Sequence, residues 1–382
     1  MLRADGLATA EQYYSHYGMR AKELKGEGRM VVGYLFPVVP VEILTAAGVV
    51  PVCLKGNVSE AVTRADAHME TIICPFVRNV FDATLKGKYD YLDGLVLPHL
   101  CDSIERTSDI WSYVLQPPYF HFLNLPHVTD APSLDFTKEI FRIFIGSLEK
   151  MTGKKVSDDD LALAIIAHNE NREAMRELYG LRKSDIPLIT GEEMMKVLVA
   201  AMSLPVQEST DMILSVISEV KVRITEAAPK PVRIMVMADQ IDDVAIPNII
   251  ESAGAWVVMD NISIGSKRYD SDVDINTDPV DALAERYLRK LKLPTFVDSG
   301  HTYDQSLEIR YGHLKRYIRD FNVDGVILVV YRYCDPYGFE VPTVKQYLES
   351  AGVQVLHLED EYSITTLPRI KTRIEAFLEM IQ

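Results

Sequence analysis

Three stretches of this chain follow one plan. "MVVGYLFPVVPVEILTAAGVVPVCLKG" (30–56) reads as a strand, a helix opening near Pro40, an Ala-Gly stop and a second strand. "VRIMVMADQIDDVAIPNIIESAGAWVVMDN" (232–261) repeats it with its own stop at Ala253-Gly254, and "TVKQYLESAGVQVLHLED" (343–360) repeats the helix half, stopping at Ala351-Gly352. Glycine just past the last helical turn suits a left-handed C-cap, and near-continuous Val, Ile and Leu strands suit a parallel sheet covered on both faces. The plan restricts the fold to α/β, with two open parallel-sheet domains.

At 382 residues the chain exceeds the roughly 100–200 of one domain, so two domains with separate cores are expected. The middle of the chain breaks the strand rhythm. "SDDDLALAIIAHNENREAMRELYGL" (157–181) opens with Ser157 and Asp160 spaced as a capping box, "TGEEMMKVLVAAM" (190–202) does so with Thr190 and Glu193, and residues 207–228 read as a further helix. "PKP" at 229–231 closes this insert, because proline cannot continue a helix. The expected layout is an N-terminal α/β domain over 1–156, a helical insert over 157–229 and a C-terminal α/β domain over 230–382.

Two strands end alike. "YDYLDGLVLPHLCDS" and "FNVDGVILVVYRYCDP" each start from Asp-Gly, run as a buried strand and deliver a cysteine, Cys101 or Cys334, where the strand stops. In open α/β sheets ligands bind beyond the carboxyl ends of the strands, so these cysteines are placed at the rim where sites are built. Cys74 is expected at the start of a helix opened by Pro75, where the helix dipole lowers a thiol's pKa. Cys53 reads as interior strand. Four widely spaced cysteines without a Cys-x-x-Cys pair argue against a disulfide framework and against a structural zinc site. They are core residues or ligands. Were three thiolates to converge, a four-iron cluster would be left one protein ligand short, with one iron open to substrate.

The composition excludes several functions. A net charge of −15 without clustered Lys and Arg argues against nucleic acid. No apolar run reaches the roughly 18–20 residues of a membrane span, and "MLRADGLATAEQYYSHYG" lacks the apolar centre of a secretory signal, so a cytoplasmic protein is expected. Phosphate-loop, dinucleotide-binding, zinc-protease and nucleophile-elbow motifs are missing. His99 and Arg332 each lie two residues before a rim cysteine and are candidates for a proton donor or charge partner. Asp102 and Asp335 read as helix N-caps. Glu308, Arg310, His313 and Lys315 read as a solvated helix face, and the aromatics of 111–127 as packing.

Taken together, "YLFPVVPVEILTAAGVVPV", "YDYLDGLVLPHLCDSIERTSDIW", "YCDPYGFEVPTVKQYLESAGVQVLHLED" and "RIKTRIEAFLEMI" resemble the iron-sulfur subunits of the benzoyl-CoA reductase and 2-hydroxyacyl-CoA dehydratase family. The likeness covers most of the chain and weakens in the helical insert. It implies two flavodoxin-like domains holding a [4Fe-4S] cluster through Cys74, Cys101 and Cys334, with one open iron site and the total number of irons left open. It also implies an acyl-CoA substrate, a homologous second subunit or an identical copy as partner, and a separate ATP-hydrolysing iron-sulfur activator that supplies single electrons. The stretch around Cys101 looks closest to the smaller catalytic subunit of class I benzoyl-CoA reductases, which places aromatic-ring reduction first. Ketyl-radical dehydration of a 2-hydroxyacyl-CoA stands second. A double-cubane-type reductase of small molecules and a non-catalytic cluster-bearing partner are the remaining readings. Glu42 and Asp66 fall in matching stretches and complete the candidates for acid-base work.

Overall fold

The computed structural model describes residues 5–223, 231–298 and 300–381. Two four-stranded, all-parallel sheets form the frame. The first has order β2-β1-β3-β4, from β1 (Val31–Tyr34), β2 (Val50–Cys53), β3 (Gly94–Pro98) and β4 (Tyr119–Leu123). The second, from β5 (Arg233–Ala238), β6 (Trp256–Asn261), β7 (Gly325–Tyr331) and β8 (Gln354–Asp360), has order β6-β5-β7-β8, the same winding. The α/β expectation therefore holds in both halves, and the winding is that of a flavodoxin-like open sheet. β1, β5 and β7 are buried along their whole length, as double-sided cover requires.

The Ala-Gly stops behave as their sequence suggests. Gly48 and Gly254 take φ of 77° and 88°, the left-handed conformation that only glycine adopts without penalty, and Gly352 follows suit. Both expected capping boxes close, Ser157 with Asp160 and Thr190 with Glu193. A third, Thr302 with Gln305, opens the helix Tyr303–Asp320.

The middle of the chain forms the helices Ala131–Thr152, Asp158–Gly180, Gly191–Ala201 and Val206–Val220. The last expected helix, 207–228, stops at Val220 with Lys221 as its C-cap, and the boundary at 229 lies outside the described residues. The first helix, Gly6–Ser15, packs on Gly191–Ala201 and Val206–Val220 rather than on the first sheet, at a contact so close that a Cβ on Gly6 would stand 2.3 Å from the Val216 nitrogen. Buried apolar side chains of both sheets and of these helices join in one cluster, which continues through the helical layer where separate cores were expected. Among the described residues no helix is long and apolar enough to cross a membrane.

Candidate active site

In each sheet the winding reverses between the first and third strands, so the crevice of a doubly wound fold opens beyond the carboxyl ends of β1 and β3 and of β5 and β7. Chain leaving these strands brings Phe36, Cys101, Asp239 and Cys334 to one cavity of about 370 Å³, and Cys74 joins them from the start of the helix that precedes β3. The cavity draws on both halves of the chain.

Each of the three cysteines is the N-cap of a helix. Cys74 caps Pro75–Leu85, Cys101 caps Asp102–Leu115 and Cys334 caps Asp335–Ser350. Asp102 and Asp335, expected as caps, are the first helical residues instead, where carboxylates suit the positive end of the dipole. A cap side chain faces the unpaired N–H groups of the first turn. The amides of Phe76 and Val77 favour the thiolate of Cys74, those of Ser103 and Ile104 that of Cys101, and that of Tyr337 that of Cys334, although none of the three sulfurs accepts a full cap hydrogen bond. The Cys74 N–H donates to Ser103 Oγ at 3.4 Å, tying two of the turns together.

The lowered thiol pKa expected for Cys74 is overturned. Burial pushes Cys74 up to about 12 and Cys101 to about 11, and Cys334 higher still, because the cost of holding charge away from water exceeds what the amides return. Cys334 also feels the other two sulfurs and Asp239. Three thiolates sharing one cavity would require positive charge among them, which an iron-sulfur cluster would supply. The donor set fits the cluster that the resemblance implies: three sulfurs around one cavity, amide donors behind each, and no fourth cysteine. Cys53 ends β2 with its Sγ turned to its neighbour's carbonyl, the Leu54 oxygen, at 3.8 Å, and lines none of this space.

Asp239 and Lys267 escape notice in the sequence. Asp239 follows β5, accepts a hydrogen bond from Ser263 Oγ at 2.7 Å and has its carboxyl pushed up by burial, against the pull of Lys267. Lys267 is buried and pushed down to about 8 by loss of water; its Nζ donates to the Ala238 carbonyl at 2.8 Å and to the Tyr337 hydroxyl. Tyr337 lines both this cavity and a second one of about 500 Å³, and Leu293 and Pro294 are shared as well. The second cavity gathers Arg289, Lys292, Arg310 and His313. Arg310 and His313 thus leave the solvated face expected of them: Arg310 pairs with Glu340 at 2.5 Å, and burial drives His313 down to about 4. Glu308 and Lys315 do form an exposed pair. Trp111 is core, stacked on Phe81, whereas His127 from the same aromatic stretch faces the cysteine cavity.

The family model described as "2-hydroxyglutaryl-CoA dehydratase, D-component" matches residues 37–381, nearly the whole of this frame. The chain belongs to that family. Among curated relatives it is 24% identical to the (R)-phenyllactyl-CoA dehydratase beta subunit of Clostridium sporogenes, over 94% of each chain. It is 26% identical to one of the subunits of benzoyl-CoA reductase from Thauera aromatica, over 90% of this chain and 89% of that one. To the beta subunit of (R)-2-hydroxyglutaryl-CoA dehydratase from Acidaminococcus fermentans it is 23% identical, over 94% of each. Reductase and dehydratase branches of the family stand equally near.

Four further candidates from the sequence are placed as follows in this family member. His99 borders the site, stacked on His127 at 4.5 Å, with Nδ1 3.1 Å from the Leu125 carbonyl oxygen and Nε2 3.5 Å from Glu105. Arg332 turns away to Glu359 at 3.1 Å and Glu361 at 2.6 Å. Glu42 is wholly buried, ion-paired with Arg172 and accepting from the Tyr287 hydroxyl at 2.7 Å. Asp66 pairs with Arg78 at the surface. None of the four lines the cysteine cavity, which His99 reaches only through His127.

Proposed function

We propose that this chain is the cluster-bearing catalytic subunit of a low-potential acyl-CoA enzyme, with Cys74, Cys101 and Cys334 as ligands of a [4Fe-4S] cluster and reduction of benzoyl-CoA as its reaction. The observation that carries the reading is the convergence of three helix-capping cysteines from both halves of the chain on one cavity. When bound, the cluster supplies single electrons and one open iron that acts as a Lewis acid.

The chain's own residues do the rest. Phe36, Val77, Leu100 and Leu293 give the cavity an apolar lining that accepts a phenyl ring without stranding polar groups and keeps water away. Lys292, whose Nζ bonds only a carbonyl among the described residues, that of Arg289 at 2.8 Å, offers its charge to the CoA phosphates in the adjoining cavity. Asp239, held towards its protonated form by burial, is placed to deliver a proton to the reduced acyl group, and the Lys267–Tyr337 pair to return one. Exposed Tyr333, Phe339 and Val297 rim the opening, as a surface awaiting cover by a second subunit would. The electron-supplying activator and a cytoplasmic setting belong to the same reading.

Dehydration of a 2-hydroxyacyl-CoA is the second reading, favoured by the family model and by the dehydratase relatives. There the cluster that Cys74, Cys101 and Cys334 would hold would supply electrons and Lewis acidity, and Asp239 would protonate the leaving hydroxyl. Titrating the reduced, anaerobically purified chain with benzoyl-CoA and, separately, an aryl 2-hydroxyacyl-CoA under EPR decides between them. A signal moved by benzoyl-CoA alone supports ring reduction, one moved by the hydroxyacyl thioester alone supports dehydration, and one moved by neither removes the acyl-CoA assignment.

A further inference from the structure

We infer that the chain carries a second ligand site, for a phosphate-bearing anion, in the cavity where Lys22, Lys55 and Lys88 converge beside the outer edge of the first sheet. This cavity, of about 520 Å³, is also lined by Tyr14 and Tyr17 of the N-terminal segment and shares no residue with the cysteine cavity or its neighbour.

What singles it out is the way its cations are held. Their chain neighbours are neutralised: Lys25 pairs with Asp93, and Lys86 with Asp82 at 2.6 Å and Glu60 at 3.7 Å. Among the described residues Lys22, Lys55 and Lys88 have no such carboxylate. They rest instead on tyrosine faces, Lys55 at 5.4 Å and 5.5 Å from the rings of Tyr14 and Tyr17, Lys22 at 5.4 Å from Tyr91 and Lys88 at 5.7 Å from Tyr89, with Lys88 also donating to the Gly56 carbonyl at 3.4 Å. A ring face attracts an ammonium but cancels none of its charge.

Three of the four rings are held through their hydroxyls. Tyr17 donates its hydroxyl to the Cys53 carbonyl, Tyr89 donates to the Lys55 carbonyl at 2.6 Å, and the Tyr14 hydroxyl accepts the Val244 N–H at 3.3 Å. Burial, with the charge of Lys55 behind it, draws Lys88 down to about 8, against a smaller opposite pull from each of Asp242 and Glu60. The chain has 55 acidic residues against 40 Lys and Arg, and its fold still leaves these three without a carboxylate partner among the described residues. Three compact cations around one hollow suit a multiply charged phosphate, which each can contact as a point charge. Inorganic diphosphate and the diphosphate of a nucleotide present the same chemistry.

Calorimetric titration of the full chain with inorganic pyrophosphate and, separately, ADP tests the site in the wild type and in Lys55→Gln, Lys88→Gln and Lys292→Gln. A saturable site is expected that is weakened roughly tenfold or more by each of the first two changes, the worth of one charge-assisted contact, and that is untouched by Lys292→Gln, which alters only phosphate binding in the thioester cavity. Equal affinity for the two probes names phosphate alone as the ligand group, and tighter ADP names a nucleotide; either ranking supports the site. Lys88→Arg keeps the charge and should keep binding, which separates loss of the site from loss of the fold. No saturable binding at millimolar probe, binding indifferent to Lys55→Gln and Lys88→Gln, or binding abolished by Lys292→Gln overturns the proposal.

Discussion

Cys53 and Cys101 both lie at the ends of apolar strands of the first sheet, and their different fates turn on where each strand stops. Cys53 is still paired, opposite Tyr34, so its side chain is committed to the core. Cys101 comes after Pro98, once β3 has ended, and is free to cap the next helix. That distinction was legible, because the Asp-Gly start and the Cys-Asp end frame the strand. Asp239 was not, since an acid in "MADQIDD" looks like any loop carboxylate until β5 and β7 place it opposite Cys334. Asp239→Asn is expected to leave iron bound and to lower turnover per cluster by roughly 10²- to 10⁴-fold, the usual worth of a positioned proton donor, in an assay normalised to iron. Glu42 illustrates the opposite case, a sequence candidate that the fold buries. Burial alone would raise its carboxyl, but the Arg172 guanidinium, with Arg286 behind it, holds it well below the usual range. A carboxyl depressed in the folded state stabilises above its unfolded pKa and loses that contribution as pH falls through the folded one. Glu42→Gln is therefore expected to cost about 3–5 kcal/mol at pH 7, with the gap from wild type narrowing below about pH 4 in urea unfolding.

At the scale of elements, local rules carried far. The Ala-Gly stops and two capping boxes were readable because each is a short-range device whose residues are neighbours in sequence. Thr190→Ala, which removes one such cap, is expected to cost about 1 kcal/mol in thermal unfolding, with no change in iron content. The helix Tyr303–Asp320 shows where the reading stops. Its charges suggested a solvated face, yet Arg310 and His313 line a cavity, because the segment carrying Leu293 and Pro294 covers that side of the helix. The periodicity of a helix tells which residues share a face, and only tertiary packing tells what the face meets. The same holds for Cys74, whose helix start was foreseen and whose raised thiol was not, since burial is a property of the assembled site.

For the whole molecule, the repeated winding turns two half-sites into one. The second sheet repeats the first strand for strand, so the crevice of one half meets the crevice of the other, and a cluster held there would bridge both. The contiguity of the cysteine cavity with the cation-lined one would give the proposed thioester two places, its acyl group among the sulfurs and its phosphates near Lys292. Lys292→Gln is expected to raise KM for the CoA thioester by roughly tenfold and to change kcat less than about twofold, the pattern of a lost binding contact, read from initial rates. The central claim is that Cys74, Cys101 and Cys334, and not Cys53, hold the iron. Iron and acid-labile sulfide per folded chain, measured after oxygen-free purification of the wild type and of the four single Cys→Ser variants, test it most directly. The account predicts about four irons in the wild type and in Cys53→Ser, and loss of the cluster in Cys74→Ser, Cys101→Ser and Cys334→Ser; full iron retained in any of those three, or none in the wild type, would contradict it.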